Sequence, residues 1–246
     1  MTFTRPPDWI LPNWPAPAGV HAFVTTRQGG VSTGAHAGMN LGRRCGDQPE
    51  AVTENRRRLS GLLPTEPLWL HQVHGNSVVD AHTTAAETEA DASVARQAHR
   101  VCAILVADCL PVLFASDDGL VVAAAHAGWR GLASGILENT VTAMAVDPAS
   151  LHAYIGPGIG PTAFEVGEDV RTAFCRNSAE NESAFIKHLA GKWLCDLPGL
   201  ARSALKRAGV QSIHGGGDCT WSDPGRFYSY RRDGITGRMA ALIWRD

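Results

Sequence analysis

The chain has 246 residues, with 22 Lys and Arg against 24 Asp and Glu and a formal net charge of −2. That balance, with basic residues scattered rather than in runs, argues against nucleic acid or a membrane surface as partner. At 44% apolar and 19% charged residues the chain can bury a core without disulfide staples, and its six cysteines form no CxxC pair, so free thiols in a reducing, cytoplasmic setting are expected.

The opening residues lack both a charged start and an apolar h-region, so no signal peptide is expected. Prolines at 6, 7, 12, 15 and 17 make residues 1–18 an extended arm laid on the body. Residues 20–26 alternate as a strand, and Gly29-Gly30 then opens a loop running to Gly42. A helix is expected over 49–63, with Arg56, Arg57 and Arg58 at its centre. Short strands follow at 68–73, 77–79, 101–106, 112–114 and 120–125, then a helix over 131–144. Residues 151–155 read as a strand entering the Gly-Pro loop 156–161, whose best reading is a structural turn. Helices are expected at 168–175 and 197–208, and closing strands near 227–230 and 238–243. This mixture predicts one α/β (α+β) domain over 1–246, because the helices are too few and too irregular for a repeated βαβ barrel.

Three stretches concentrate unusual residue types: His71-Gln72-Val73-His74-Gly75, Asp108-Cys109-Leu110-Pro111, and His126-Ala127-Gly128-Trp129-Arg130-Gly131. Ser116-Asp117-Asp118-Gly119 is a turn signal between two apolar runs, so a β-hairpin should join the last two stretches. A turn centred on Asp117-Asp118 places Cys109 directly across from His126, where opposed residues share a face and suit one metal. A turn centred on Asp118-Gly119 places Gly128 there instead. In an extended segment only one of His71 and His74 faces a given side. His74 is preferred, because Gly75 permits a tight turn after it. A thiolate with two imidazoles suits Zn2+, and also Cu2+, and three protein ligands leave the fourth position that catalytic zinc sites keep open. A packed thiol and ordinary polar histidines are the alternative reading of the same residues.

Taken together, the ordered motifs resemble the YfiH family, also called the laccase-domain or multicopper polyphenol oxidase family. They are Phe23-Val-Thr-Thr-Arg27, Met39-Asn-Leu-Gly42, Glu54-Asn55-Arg56, Gln72-Val-His74-Gly75, Ala107-Asp-Cys109-Leu-Pro111, His126-Ala-Gly-Trp-Arg-Gly131, Ile155-Gly-Pro-Gly-Ile-Gly-Pro161, Phe164-Glu-Val-Gly167 and Phe227-Tyr-Ser-Tyr-Arg231-Arg232-Asp233-Gly234. The resemblance implies metal ligands at His74, Cys109 and His126, and a layered sandwich of mixed β-sheets flanked by helices, shared with cysteine hydrolases of the cytotoxic necrotizing factor type. It also implies purine nucleoside and phosphate as substrates, by phosphorolysis, with deamination of adenosine and phosphorolysis of methylthioadenosine as related reactions. Two departures from the family pattern stand out: His71 stands at a variable site, and Gly158 and Thr162 stand where relatives often carry cysteine.

A four-copper oxidase needs many histidines, commonly in His-X-His pairs, and none of the ten histidines here is paired that way. For phosphorolysis, phosphate must be held by cations or N–H groups. The candidates are Arg56, Arg130, Arg231 and Arg232. Asp108 is a candidate base or orienting group, Arg231 is a further catalytic candidate, and Asn40 and Gln72 are candidates to read a purine edge. Some relatives are described as peptidoglycan editing factors, so a second reading makes Cys109 a nucleophile with His126 as base and Asp108 orienting it. A monomer or weak homodimer is expected.

Overall fold

The computed structural model describes residues 3–176 and 178–246; residues 1 and 2 of the expected arm lie outside them. In chain order come β1 (Val20–Val24), α1 (Pro49–Ser60), β2 (Val78–Asp80), β3 (Ala92–Ala95), β4 (Cys102–Val106), β5 (Leu110–Ser116), β6 (Val122–Ala127), α2 (Trp129–Ala133), α3 (Ile136–Met144) and β7 (Leu151–Ile155). They are followed by β8 (Glu165–Gly167), α4 (Glu168–Cys175), β9 (Phe185–Lys187), β10 (Lys192–Cys195), α5 (Leu197–Arg207), β11 (Ser212–Gly215), α6 (Tyr230–Asp233) and β12 (Met239–Arg245).

A six-stranded mixed sheet runs β11-β7-β5-β6-β3-β2, parallel only in its two outer pairs. An antiparallel sheet, β1-β12-β4, lies against one of its faces. Alternation along the strands explains the layering. On β5, Leu110, Val112 and Phe114 join the core beneath α3 and α5, whereas Leu113 and Ala115 join the core between the two sheets. On β12, Met239, Ala241 and Ile243 meet that second core while Ala240 and Leu242 face a third, with Leu59 of α1 and Trp69. The result is a helix–sheet–sheet–helix sandwich, as the motif resemblance implied. Strand β6 is buried on both faces, so apart from His126 it reads as a run of small apolar residues rather than an alternating one. A third antiparallel sheet, β8-β10-β9, is built from strands of three or four residues. No helix among the described residues is long and apolar enough to cross a membrane.

The arm does lie on the body: Ile10 pairs with Val24 through two backbone hydrogen bonds, and buried Trp9 donates its indole N–H to Gln28. Other expectations need correction. The run 68–73 is not a strand; only Leu68 and His71 make single bridges, to Cys102 and Glu89. The helix expected over 131–144 breaks in two because Gly135 turns left-handed, at φ 87°. Residues 227–230 do not form a strand: the Ser229 hydroxyl accepts the Arg232 N–H and Asp108 accepts the Arg231 N–H, which turns the chain into α6. Strands β3 and β8 to β11 are too short to leave a periodic signal in the sequence.

Candidate metal centre

The hairpin β5–β6 takes the second of the two registers: Pro111, not Cys109, faces His126, and Leu110 faces Ala127. Continuing that register places Gly128 beside Cys109. The site forms there because Gly128 has no side chain. A Cβ on it would lie 2.9 Å from the Cys109 Sγ and 3.0 Å from the His74 ring. Cys109 stands two residues before Pro111 and so projects to the same side as His126.

His74, Cys109 and His126 each offer one donor atom, and the three atoms lie within 4.8 Å of one another. The donor set of one thiolate and two imidazoles fits Zn2+. His126 is buried and places its Nδ1 2.7 Å from Asp91 Oδ1, which leaves Nε2 for the group. Burial works against charge on both Cys109 and His126. Their mutual attraction, with the His74 ring and the Asp91 carboxylate, outweighs burial and lowers the thiol's pKa while raising that of the imidazole.

Asp91, which no motif singled out, organises this end of the cavity. Its carboxylate accepts the backbone N–H groups of Val73 (3.2 Å), His74 (3.0 Å) and Gly75 (2.7 Å) besides the His126 ring. These bonds hold His74 in a left-handed conformation, φ 61°, unusual for a residue with a side chain. The tight turn is therefore carried by His74 itself, not by Gly75 as the sequence suggested. Gly75 has a different role, its carbonyl sitting where a Cβ on Gly131 would be, at 2.6 Å, so the loop and α2 touch backbone to backbone. The sequence signal for Asp91 was faint: a lone acid at the start of the buried segment Ala90–95.

A cavity of about 610 Å³ is lined by all three candidate ligands. Arg56, Gln72, Asp108, Arg130 and Arg231 also line it, whereas Asn40 and Arg232 do not. Asn40 is fully buried; its amide bonds Asp47 and the Gly42 carbonyl and accepts from the Gly42 and Arg238 N–H groups, closing the 40–47 loop. Arg232 clasps the carbonyls of Thr220, Trp221 and Phe227 and pairs with Asp233. The Gln72 amide both donates to and accepts from the Leu105 backbone, each at 2.8 Å. Asp108, at φ 89°, accepts from the Thr220 hydroxyl (2.6 Å) and the Arg231 N–H (2.7 Å), joining the cysteine loop to α6. The Arg231 guanidinium lies over the Phe164 ring and that of Arg130 over Trp129, 5.1 and 4.5 Å from the ring centroids. The glycine loop gives up its N–H groups internally, to Pro111, Asp108, Asp218 and Cys219. Arg43, Arg238 and Tyr230 line it too; the two arginines lie in no motif, whereas Tyr230 stands in the 227–234 motif without a role assigned to it there.

Gly128→Ala is expected to lower metal affinity while leaving the melting temperature within a few degrees, since the added methyl meets only the Cys109 thiol and the His74 ring. Metal titration alongside thermal unfolding checks this; unchanged metal affinity would remove the cradle role.

A helix–sheet–sheet–helix sandwich with a His–Cys–His group beside an arginine-lined cavity is the class this chain falls in. Residues 21–246 match the family described as multi-copper polyphenol oxidoreductase laccase, and the chain belongs to it. It is 50% identical over 238 residues to purine nucleoside phosphorylase YfiH of Escherichia coli, covering 96% of this chain and 98% of that one. A purine nucleoside phosphorylase of Pseudomonas aeruginosa is 52% identical over 237 residues, with the same coverage. Among solved structures, Neisseria meningitidis protein NMB0706 superposes with a TM-score of 0.94 at 50% identity, over 97% of this chain and 99% of that one. YlmD from Geobacillus stearothermophilus follows at 0.90 and 32% identity, covering 99% and 98%.

Proposed function

We propose that this chain is a zinc-dependent purine nucleoside phosphorylase whose metal is held by His74, Cys109 and His126. One observation carries the reading. A cavity large enough for a nucleoside and phosphate joins the His–Cys–His group to five arginines, 43, 56, 130, 231 and 238, that have no carboxylate partner among the described residues. The names of the relatives support the same substrate class.

In the reaction, a phosphate oxygen attacks C1′ of the ribose, the C1′–N9 bond breaks, and the purine leaves with the bonding electrons and gains a proton. Arg130 and Arg231, held flat on Trp129 and Phe164, balance the phosphate charge as it moves toward C1′. Asp108 keeps Arg231 in place through the N–H of that residue. The exposed Tyr230 ring offers a face for the purine. His74, Cys109 and His126 would hold a Zn2+, which when bound would supply Lewis acidity next to these groups. Adenosine deamination and methylthioadenosine phosphorolysis are extensions of the same proposal. Copper fits the ligand types, yet among the described residues there is one such ligand group, which is too few for a four-copper oxidase.

The test is incubation of metal-quantified protein with adenosine and inosine, with and without phosphate. Phosphate-dependent release of free base supports phosphorolysis, and inosine formed from adenosine without phosphate supports deamination. No turnover by zinc-loaded protein would overturn the reading.

One observation favours a second reading. Cys109, His126 and Asp91 form a chain of thiol, ring and carboxylate like that of a cysteine hydrolase, with Asp91 in the orienting position foreseen for Asp108. Coordination occupies the thiolate, so alkylation of Cys109 in metal-loaded protein separates the two: protection by Zn2+ supports the metal centre, and rapid alkylation supports the hydrolase.

A further inference from the structure

Arg56 is a buried guanidinium without a counter-ion. It is 6% exposed, its Nε donates to the Leu41 carbonyl at 3.0 Å, and its plane lies 4.2 Å over the Trp69 ring. Neither terminal nitrogen has a hydrogen-bond partner among the described residues, and both belong to a side chain lining the cavity. The carboxylates that act on it are engaged elsewhere: Glu87 pairs with Arg44 at 3.0 Å, and Glu66 accepts from Ser60 and Trp69. Arg43, the other charge acting on it, is a second arginine, which lines the same cavity with no ion pair of its own among the described residues. Arg238 packs its side chain against Gly42, the residue before Arg43, and also lines the cavity.

Two like charges held together, one of them nearly sealed from water, are unfavourable unless an anion joins them. A planar guanidinium fixed on an indole presents its free N–H groups in the fork that matches a phosphoryl group. Other arginines of the fold show the contrast: Arg57, Arg58, Arg171 and Arg226 all face carboxylates at the surface.

We propose that Arg56 and Arg43, with Arg238 beside them, form a phosphoryl-binding subsite on the wall of the cavity. Under the reading above it receives either the inorganic phosphate co-substrate or a 5′-phosphate on the nucleoside. Its arginines come from α1, the 42–45 loop and the residue just before β12, whereas Arg130 and Arg231 sit on α2 and α6. It makes the pocket selective for a dianion where a neutral nucleoside alone would leave two guanidiniums unpaired.

The test uses the full-length zinc-loaded protein, with Arg43→Gln and Arg56→Lys as variants. Arg43 is exposed, so its variant folds whatever Arg56→Lys does, and circular dichroism monitors the latter. Inorganic phosphate binding is followed by 31P line broadening, and KM values for phosphate, nucleoside and nucleoside 5′-phosphate are measured separately. A rise on the order of tenfold or more in the phosphate KM of Arg43→Gln, with the nucleoside KM unchanged, assigns the subsite to the co-substrate. An unchanged phosphate KM with a similar loss confined to the nucleoside 5′-phosphate assigns it to that group. If the wild type shows no phosphorolysis but its 31P broadening is lost in Arg43→Gln, the subsite stands and the phosphorylase reading falls. Phosphate binding and all KM values unaltered in Arg43→Gln and in folded Arg56→Lys would overturn the subsite.

Discussion

Cys109→Ala is expected to remove bound zinc and phosphorolysis together, lowering kcat/KM by about three orders of magnitude. The figure follows from the several kcal/mol of charge stabilisation that a Lewis-acidic ion supplies. The thiolate is the only soft, anionic member of the donor set, and the remaining histidines, one exposed and one buried, form a weak pair. Folding should survive, because Cys109 is only half-buried and lies outside the three packed cores. Metal-to-protein ratio by elemental analysis and steady-state kinetics on the same sample check both halves. A variant that lost its zinc and kept its activity would refute the metal's role, whereas one that kept zinc would refute the ligand assignment.

Asp91→Asn is expected to be nearly as damaging although Asp91 is not among the proposed ligands. The carboxylate accepts four donors, three from the backbone at 73–75 and one from His126. An amide keeps one acceptor oxygen and turns its NH2 toward groups that are themselves donors. His126 then loses the partner that sets its tautomer, and His74 loses the bonds that hold its left-handed backbone. Metal affinity should fall about 10- to 100-fold, as for other partners of metal-bound histidines. Stability should drop by about 3 kcal/mol, the scale of a charged, buried hydrogen-bond acceptor. Zinc competition with a chromophoric chelator and urea unfolding measure the two losses; unaltered metal affinity would reduce Asp91 to a loop fastener.

The same carboxylate carries a pH signature in metal-free protein. Burial alone would raise its pKa, but the His126 ring and the Gly75 and Val73 N–H groups more than offset that, so it sits below the ordinary value of 3.8. A folded pKa below the unfolded one means the stabilisation is complete above roughly pH 4 and is lost as pH falls through the folded value. Acid unfolding of metal-free wild type should steepen below that point, and the Asn variant should lack that component.

Much of this centre was legible because the chemistry-bearing residues stand in short, unusual motifs. His74, Cys109 and His126 were marked by residue type and by the family resemblance, and the structure brings their donor atoms together. The helices at 168–175 and 197–208 and the strand at 151–155 were also legible, since each is a clean periodic run bounded by Gly, Pro or Asp. The hairpin register was not. Asp117 and Asp118 both suit a turn, and a shift of its centre by one position changes which residue faces Cys109. The register goes with a turn in which Gly119 takes a positive φ of 69° and the Asp118 carboxylate accepts the Ser116 hydroxyl and the Leu120 N–H, contacts that residue type alone does not distinguish from a turn centred one position earlier.

Residue type likewise misdirected several side chains. Asn40, Gln72 and Arg232 carry groups that could read a purine or grip a phosphate, and the fold engages them internally: Asn40 on the Asp47 carboxylate, Gln72 on the Leu105 backbone, and Arg232 on backbone carbonyls and Asp233. No motif marked Arg43 or Arg238, yet both line the cavity. The sequence by itself determined the donor chemistry, the class of fold and the helices at 49–60, 168–175 and 197–207, because composition, motif and local period are properties of neighbouring residues. Only the tertiary structure decided which acid orients His126, which arginines lack a counter-ion, and why position 128 must be glycine. Those depend on distances between segments far apart in the chain, set by the packing of two sheets rather than by any one segment.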